Sequence, residues 1–311
     1  MKPAVLLLRQ AFDKFIKKND IPAALLSWSS LTYCLFIYQN ELSELDSYLE
    51  WFQQKTHPEM VYSSLELEAC VAISAATALM CREPQNPDIE IWMQKAISLS
   101  IDCDDARIWV FASTCIITFQ IFTNPRSNLY FYNQFKILAG KHQTDFSQIL
   151  LYFYDSLSYF SSEMSVETAK KLAASGLKHA LDTGIYFCID LLFGLNILLA
   201  IIAKDFSEAK SKLLEFELLL DHSMPNHTAV YYLFSTLFNI SQHEYDQARG
   251  NGVIAMAKIK QVGFIFTEIM AGVILSQVYC MAEQHDKSLK QLECTKKMAV
   301  VSRTWIFHIR T

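Results

Sequence analysis

Glycine and proline are scarce in this chain. Eight Gly and seven Pro in 311 residues are roughly a third to a half of ordinary usage. Sheet-rich and loop-rich folds need glycine wherever the backbone turns through positive φ, so such folds are disfavoured and helix packed on helix through short connections is favoured. Paired cysteines are missing too. The eight thiols, at positions 34, 70, 81, 103, 115, 188, 280 and 294, form no CxxC pair. Most lie in apolar stretches such as Tyr33-Cys34-Leu35 and Phe187-Cys188-Ile189, so they read as small core residues in a reducing compartment.

There is no surplus of positive charge. Lys and Arg number 27 against 32 Asp and Glu, which argues against nucleic acid as a direct ligand, because phosphate neutralisation needs clustered cations. Charge is uneven, with an acidic stretch from Glu41 to Glu68 that contains only Lys55 as a base, and a base-richer stretch from Glu244 onward; both read as solvated faces. Long hydrophobic runs are absent as well. The charge-free stretches Ile108–Pro125 and His222–His243 are broken by Ser113, Thr114, Gln120, Pro225, Asn226 and Asn239, whereas a spanning helix needs about twenty predominantly apolar residues. The apolar segment after Met1-Lys2-Pro3 is too short for a signal peptide and has no small-residue cleavage site. The expected address is the cytoplasm, away from the membrane.

Catalytic signatures are missing in the same way. There is no GxxxxGK[ST], GxSxG or HExxH. Gly250-Asn251-Gly252 is an isolated GxG inside a helical pattern, which suits a close helix contact better than a phosphate cradle. His222, His227, His243 and His285 read as solvated loop histidines rather than metal ligands. No cofactor, metal or catalytic residue is expected. Asp190 and Glu268 interrupt apolar helices at equivalent places after Gly184 and Gly263. Carboxylates in apolar surroundings can serve as acid and base; equally, an acid in a first helical turn complements the dipole.

What the chain does have is a repeat. Ala169–Gly184 and Ala248–Gly263 share an opening Ala, a small residue seven on (Gly176, Ala255), and a closing Gly followed by an aromatic-rich run. Between them, Asp205-Phe206-Ser207-Glu208-Ala209 opens an equivalent unit, and its helix places Phe206, Ala209, Leu213, Phe216 and Leu220 on one stripe. Extending this ladder at about forty residues per step reaches Leu289 in one direction and Leu129, Ile89 and Leu45 in the other. Partner helices fall between these, from Pro22–Tyr38 to Phe264–Glu283. Asp20 before Ile21-Pro22 is a good N-cap with proline in the first turn, and Gly184 and Gly263 suit the left-handed position after a helix end. The pattern predicts an all-α, right-handed α-solenoid of about seven two-helix repeats in one domain: 1–20 a leading helix, 21–303 the repeats, and 304–311 the start of a truncated further repeat. Thr304-Trp305-Ile306-Phe307 repeats the aromatic run, so the array is expected to continue past Thr311.

The openings Asp205-Phe206-Ser207-Glu208-Ala209 and Glu244-Tyr245-Asp246-Gln247-Ala248 resemble the second helix of tetratricopeptide repeats. The run Ala173–Gly184, followed by Lys204-Asp205-Phe206, is similar to the repeat arms of bacterial signal-transduction ATPases and maltose-type transcription activators. That resemblance implies a non-catalytic sensor or interaction arm that controls a separate module, binding a protein or peptide segment or a small-molecule inducer. Projecting the repeat register puts Leu198, Ile201, Leu233, Leu237, Ile274 and Val278 on the inward face as partner-binding candidates, with plain helix–helix core as the rival reading. Their apolar character disfavours the carboxylate clamp of co-chaperone repeats, which needs Lys, Arg and Asn. An enzyme built on a helical toroid or bundle, and a structural assembly subunit, are the alternatives.

Overall fold

The computed structural model describes residues 2–38, 41–123, 133, 136, 139, 143–161, 165–186, 188–220 and 224–301. Among them there is no strand. The α-helices are α1 (Lys2–Lys17), α2 (Ile21–Tyr38), α3 (Leu45–Lys55), α4 (Leu65–Arg82), α5 (Asp88–Asp102), α6 (Ala106–Thr123), α7 (Asp145–Ser161), α8 (Val166–Thr183), α9 (Ile189–Ile202), α10 (Phe206–Leu218), α11 (Pro225–Ser241), α12 (Tyr245–Val262), α13 (Ile265–Met281) and α14 (His285–Val301). None is long and apolar enough to cross a membrane. Seven first-helix positions, α2, α4, α6, α7, α9, α11 and α13, fall on the expected segments. The ladder point Leu129 and the expected stub 304–311 lie outside the described residues.

Short local devices set the helix ends. Side chains of Ser64, Ser165 and Asp205 accept the backbone N–H three residues on, capping α4, α8 and α10; Asp20 does the same for Ala23 at 3.2 Å, with Pro22 in the first turn as expected. Gly184 and Gly263 adopt φ of 70° and 76°, which an L side chain resists.

A recurring turn that glycine does not mark joins α1 to α2 and the two members of each of the last three pairs. Asn19, Lys204, His243 and Glu283 all have φ between 57° and 62°. In each case the next residue's N–H bonds the carbonyl five back: Asp20 to Phe15, Asp205 to Ala200, Glu244 to Asn239, and Gln284 to Tyr279, at 2.8 to 3.0 Å. That same residue's carbonyl then accepts from the small residue four on, namely Ala24, Ala209, Ala248 and Ser288. One correction follows. The last ladder position is Ser288, not Leu289, which is 59% exposed. The leading helix α1 is joined to α2 by the same turn.

The contacts gather into two compact units, one built on residues 1–131 with Val262–Phe266, the other on 132–261 with Thr267–Met298. In the first, α2, α4 and α6 stack in succession, with α5 against both α4 and α6. Helix α4 is central, and its alanines and Ser74 are almost completely buried, which lets neighbouring backbones approach closely. Trp28 of α2 stacks on Phe52 of α3 at 4.2 Å, and its indole N–H donates to the Tyr48 carbonyl. The acidic stretch is partnered by bases from other helices: Glu44 with Arg9, Asp46 with Arg82 and Glu68 with Lys95.

In the second unit α8 and α10 flank α9, and α11 packs on both α9 and α10. Phe193 of α9 stacks on Phe216 of α10 at 4.9 Å and nearly parallel, matching the Trp28–Phe52 pair in the other unit. Ala169, Ala209 and Ala248 are fully buried, as their place in the ladder requires. Lys170 of α8 reaches Glu208 of α10 at 2.7 Å, linking second helices of successive pairs. Ala229, Leu233, Ala255, Met256, Ile259, Ala271 and Leu275 form the core shared by α11, α12 and α13.

The thiols are all free. Cys81, Cys103, Cys115 and Cys188 are buried, but Cys280 and Cys294 are exposed, so the reading of cysteines as core residues does not extend to the last helix pair.

Candidate functional site

The six apolar candidates divide by burial. Leu233 belongs to the α11–α13 core and Val278 is fully buried, so both pack the fold and neither offers a contact surface. Leu198, Ile201, Leu237 and Ile274 are half-buried and keep part of their surface.

The two carboxylates also separate. Asp190, in the first turn of α9, is buried and both of its oxygens are engaged. Its Oδ1 accepts from the Leu191 N–H at 2.9 Å, and its Oδ2 accepts from the Asn226 carboxamide at 2.7 Å. Burial pushes this carboxyl above its ordinary range, partly offset by neighbouring His227. The buried Cys188 thiol beside it is pushed up to about 12, by burial first and Asp190 second, so it is a poor nucleophile near neutrality. Glu268 occupies the matching first turn of α13, is half-buried, and makes no hydrogen bond to Asp190. The structure therefore assembles no acid–base pair from them. Asp190 instead ties the start of α9 to the start of α11.

Of the histidines, His227 departs from the expectation of a solvated loop. It lies in the first turn of α11 with its Nδ1 buried and without a partner. His243 occupies the left-handed turn position and its Nδ1 meets the Tyr245 hydroxyl at 2.8 Å. His222 lies outside the described residues. Among the described residues no group of three His, Cys, Asp or Glu side chains could hold a metal ion.

The residues that line open space are different ones. A groove of about 570 Å³ runs between α10 and α12 over the second half of α11. Phe206, Lys210 and Leu214 form the α10 wall, Tyr231, Ser235, Phe238 and Asn239 the floor, and Glu244, Gln247 and Asn251 the α12 wall. On one side Gly252 of α12 stands against Thr236 of α11, and on the other Phe216 of α10 meets Tyr231 of α11 edge to face at 5.8 Å. A Cβ at Gly252 would stand 3.1 Å from a Leu275 methyl, tighter than ordinary contact, and 3.5 Å from the Thr236 methyl, which is the close helix approach expected of the GxG. A smaller cavity of about 360 Å³ opens where the first turns of α2 and α4 meet, lined by Pro22, Leu26, Ser64, Leu67 and Cys70.

Sequence reasoning did not find the groove, although one signal for it was there. Tyr231, Ser235, Phe238, Asn239 and Gln242 recur at i, i+4, i+7, i+8 and i+11, which puts them on one face of an otherwise apolar helix.

No protein-family model matches this chain, and no curated protein does either. Solved structures do. A Rap protein, crystallised in complex with competence and sporulation factor, aligns at a TM-score of 0.60 and 11% identity, covering 97% of this chain and 78% of its own. At that identity the likeness is one of fold. The chain has the all-α, tetratricopeptide-like helical-repeat fold.

Proposed function

We propose that this chain is a non-catalytic, partner-binding helical-repeat protein whose ligand is a protein or peptide segment. The observation that carries this reading is the open groove over α11, built by helix stacking and lined by aromatic, aliphatic and polar side chains, with Lys210 on one wall and Glu244 on the other. Such convergence of apolar surface with a few polar groups is what a binding site needs. The fold is shared with a protein whose crystals contain a bound factor, which supports the same reading. Its finer parts are that residues 1–311 act as a single helical-repeat domain with its repeats over 21–303, that Leu198, Ile201, Leu237 and Ile274 add contact surface, and that the chain works in the cytoplasm as the regulatory arm of a larger signalling or transcription-regulating protein. A small-molecule inducer is the alternative ligand; nucleic acid and membrane are not partners in this reading.

The test is cross-linking in cells of the source organism, followed by reconstitution from purified components. A saturable complex of micromolar or better affinity, about −8 kcal/mol, is expected, and it should weaken when Leu237→Asp or Gln247→Ala is introduced. Purified candidates that associate only without saturation, or a turnover reaction abolished by substitution of groove residues, would overturn it.

A further inference from the structure

Helix α14 holds to the fold by small residues and turns its leucines outward. Thr295 and Ala299 are buried, and Ser288 donates to the Ser276 carbonyl of α13 at 2.7 Å. A Cβ at Gly272 of α13 would collide with the Thr295 hydroxyl, so the two helices lie close at that point. Leu289 and Leu292 are exposed. With Lys296 they fall at i, i+3 and i+7, one stripe of the helix, and the exposed Lys290 and Lys297 stand beside it. These three lysines join no ion pair among the described residues. Asp286 and Glu293 share the helix, which still carries four lysines against two acids. Helix α5 presents the opposite charge. Ile91 and Ile101 are exposed on the side away from the buried Trp92 and Ala96, and Asp88, Glu90 and Asp102 are exposed there as well. The single base of α5, Lys95, is held by Glu68 at 2.7 Å. The three carboxylates join no ion pair among the described residues.

We propose that the α14 face of one chain docks on the α5 face of a second copy. This goes beyond the groove and its partner, and it holds whether or not a partner binds there. Large aliphatic side chains turned to solvent among unpaired charges of one sign suit a contact surface. Charge complementarity names the occupant. Three carboxylates surround the isoleucines of α5 and three ammonium groups surround the leucines of α14, so the chain carries both halves of one contact. Pairing α14 with α14, or α5 with α5, would set like charges against each other, which disfavours the symmetric alternatives. Exposed ion pairs add little affinity one by one. Burial of the aliphatic side chains therefore supplies the attraction, and the charges choose which faces meet and speed their encounter.

The experiment uses the full chain. Sedimentation equilibrium at rising concentration and low salt should give a mass above the 35.7 kDa of one chain. The mass should fall back between about 0.01 and 1 M salt, as the Debye length shrinks from about 30 to 3 Å. Glu90→Lys with Asp102→Lys makes both faces basic, and Lys296→Glu with Lys297→Glu makes both acidic. Each double variant should self-associate about tenfold more weakly than the parent, whereas an equimolar mixture of the two should associate as the parent does. That rescue also shows that both variants fold. Self-association indifferent to both changes, or two variants that stay apart when mixed, would overturn the proposal. So would a parent that remains monomeric at low salt. If that monomer sedimented with vesicles of anionic lipid, the α14 face would belong to a membrane instead.

Discussion

The Asn226 carboxamide donates to the buried Asp190 carboxylate at 2.7 Å, joining the first turns of two successive first helices across 36 residues of chain. Leu191 N–H supplies the second donor, and His227 and the Cys188 thiol are the other titratable neighbours. A buried carboxyl with one side-chain partner and one backbone partner is costly to ionise.

Its pH dependence follows. The folded-state value is raised, whereas an unfolded Asp titrates near about 3.9. Above that point the folded chain holds the proton longer than the unfolded chain, so this group's contribution is greatest at low pH. It declines as pH rises from about 4 until the buried carboxyl itself ionises. Asp190→Asn should remove that decline. Urea melts at pH 4 and pH 7 are expected to show the variant losing less stability than the parent between the two; equal losses would mean that burial of Asp190 carries no ionisation cost.

Two helical glycines should respond in opposite directions to the same change. A Cβ on Gly250 meets nothing within 4 Å, so Gly250→Ala should stabilise α12 by about 0.5–1 kcal/mol through helix propensity alone. A Cβ on Gly176 would stand 2.9 Å from the Tyr152 Cβ and 3.2 Å from a Leu192 methyl, so Gly176→Ala should cost about 1–3 kcal/mol by overpacking α8 against α7 and α9. Denaturant midpoints of the two single variants check the pair.

Ala248 is fully buried at the ladder position of α12. Ala248→Leu has no space to enter and should destabilise by about 1–3 kcal/mol. Lys290→Leu, at an exposed position beside Leu289, should stay within about 0.5 kcal/mol. Similar losses at both sites would contradict the register.

Lys204 holds φ at 59°, a conformation that costs an L residue about 1–2 kcal/mol. Lys204→Gly relieves this while adding freedom to the unfolded chain, for a net gain of about 0.5 kcal/mol. Thermal melts should rise by a degree or two; a fall would mean that the lysine side chain contributes at the turn.

The repeat was legible because its markers are local. A buried small residue in the first turn of a second helix, with an apolar stripe behind it, reports helix pairing without knowledge of any neighbour; Ala169, Ala209 and Ala248 are such markers. The error at the last repeat has the same origin. Ser288 fills the small position there, and a ladder scored on hydrophobicity passes over a serine in favour of Leu289. The pair turn was hidden for a related reason, since Asn19, Lys204, His243 and Glu283 share a backbone conformation but no side-chain chemistry.

By itself, then, the sequence determined the all-α class, the period of about forty residues, the capping at Asp20 and the left-handed ends at Gly184 and Gly263, all of which depend on contacts within a few residues or on composition. Only the tertiary structure decided which side of each helix is covered. Leu233 and Leu237 lie one turn apart on the same stripe, yet Leu233 joins the core shared with α12 and α13 and Leu237 stays half-buried. The pairing of Asp190 with Asn226 and the opening over Asn239 are likewise products of helix stacking. Burial of a side chain depends on which distant helix stands against it, and a helical period records the direction a residue points without recording what lies there.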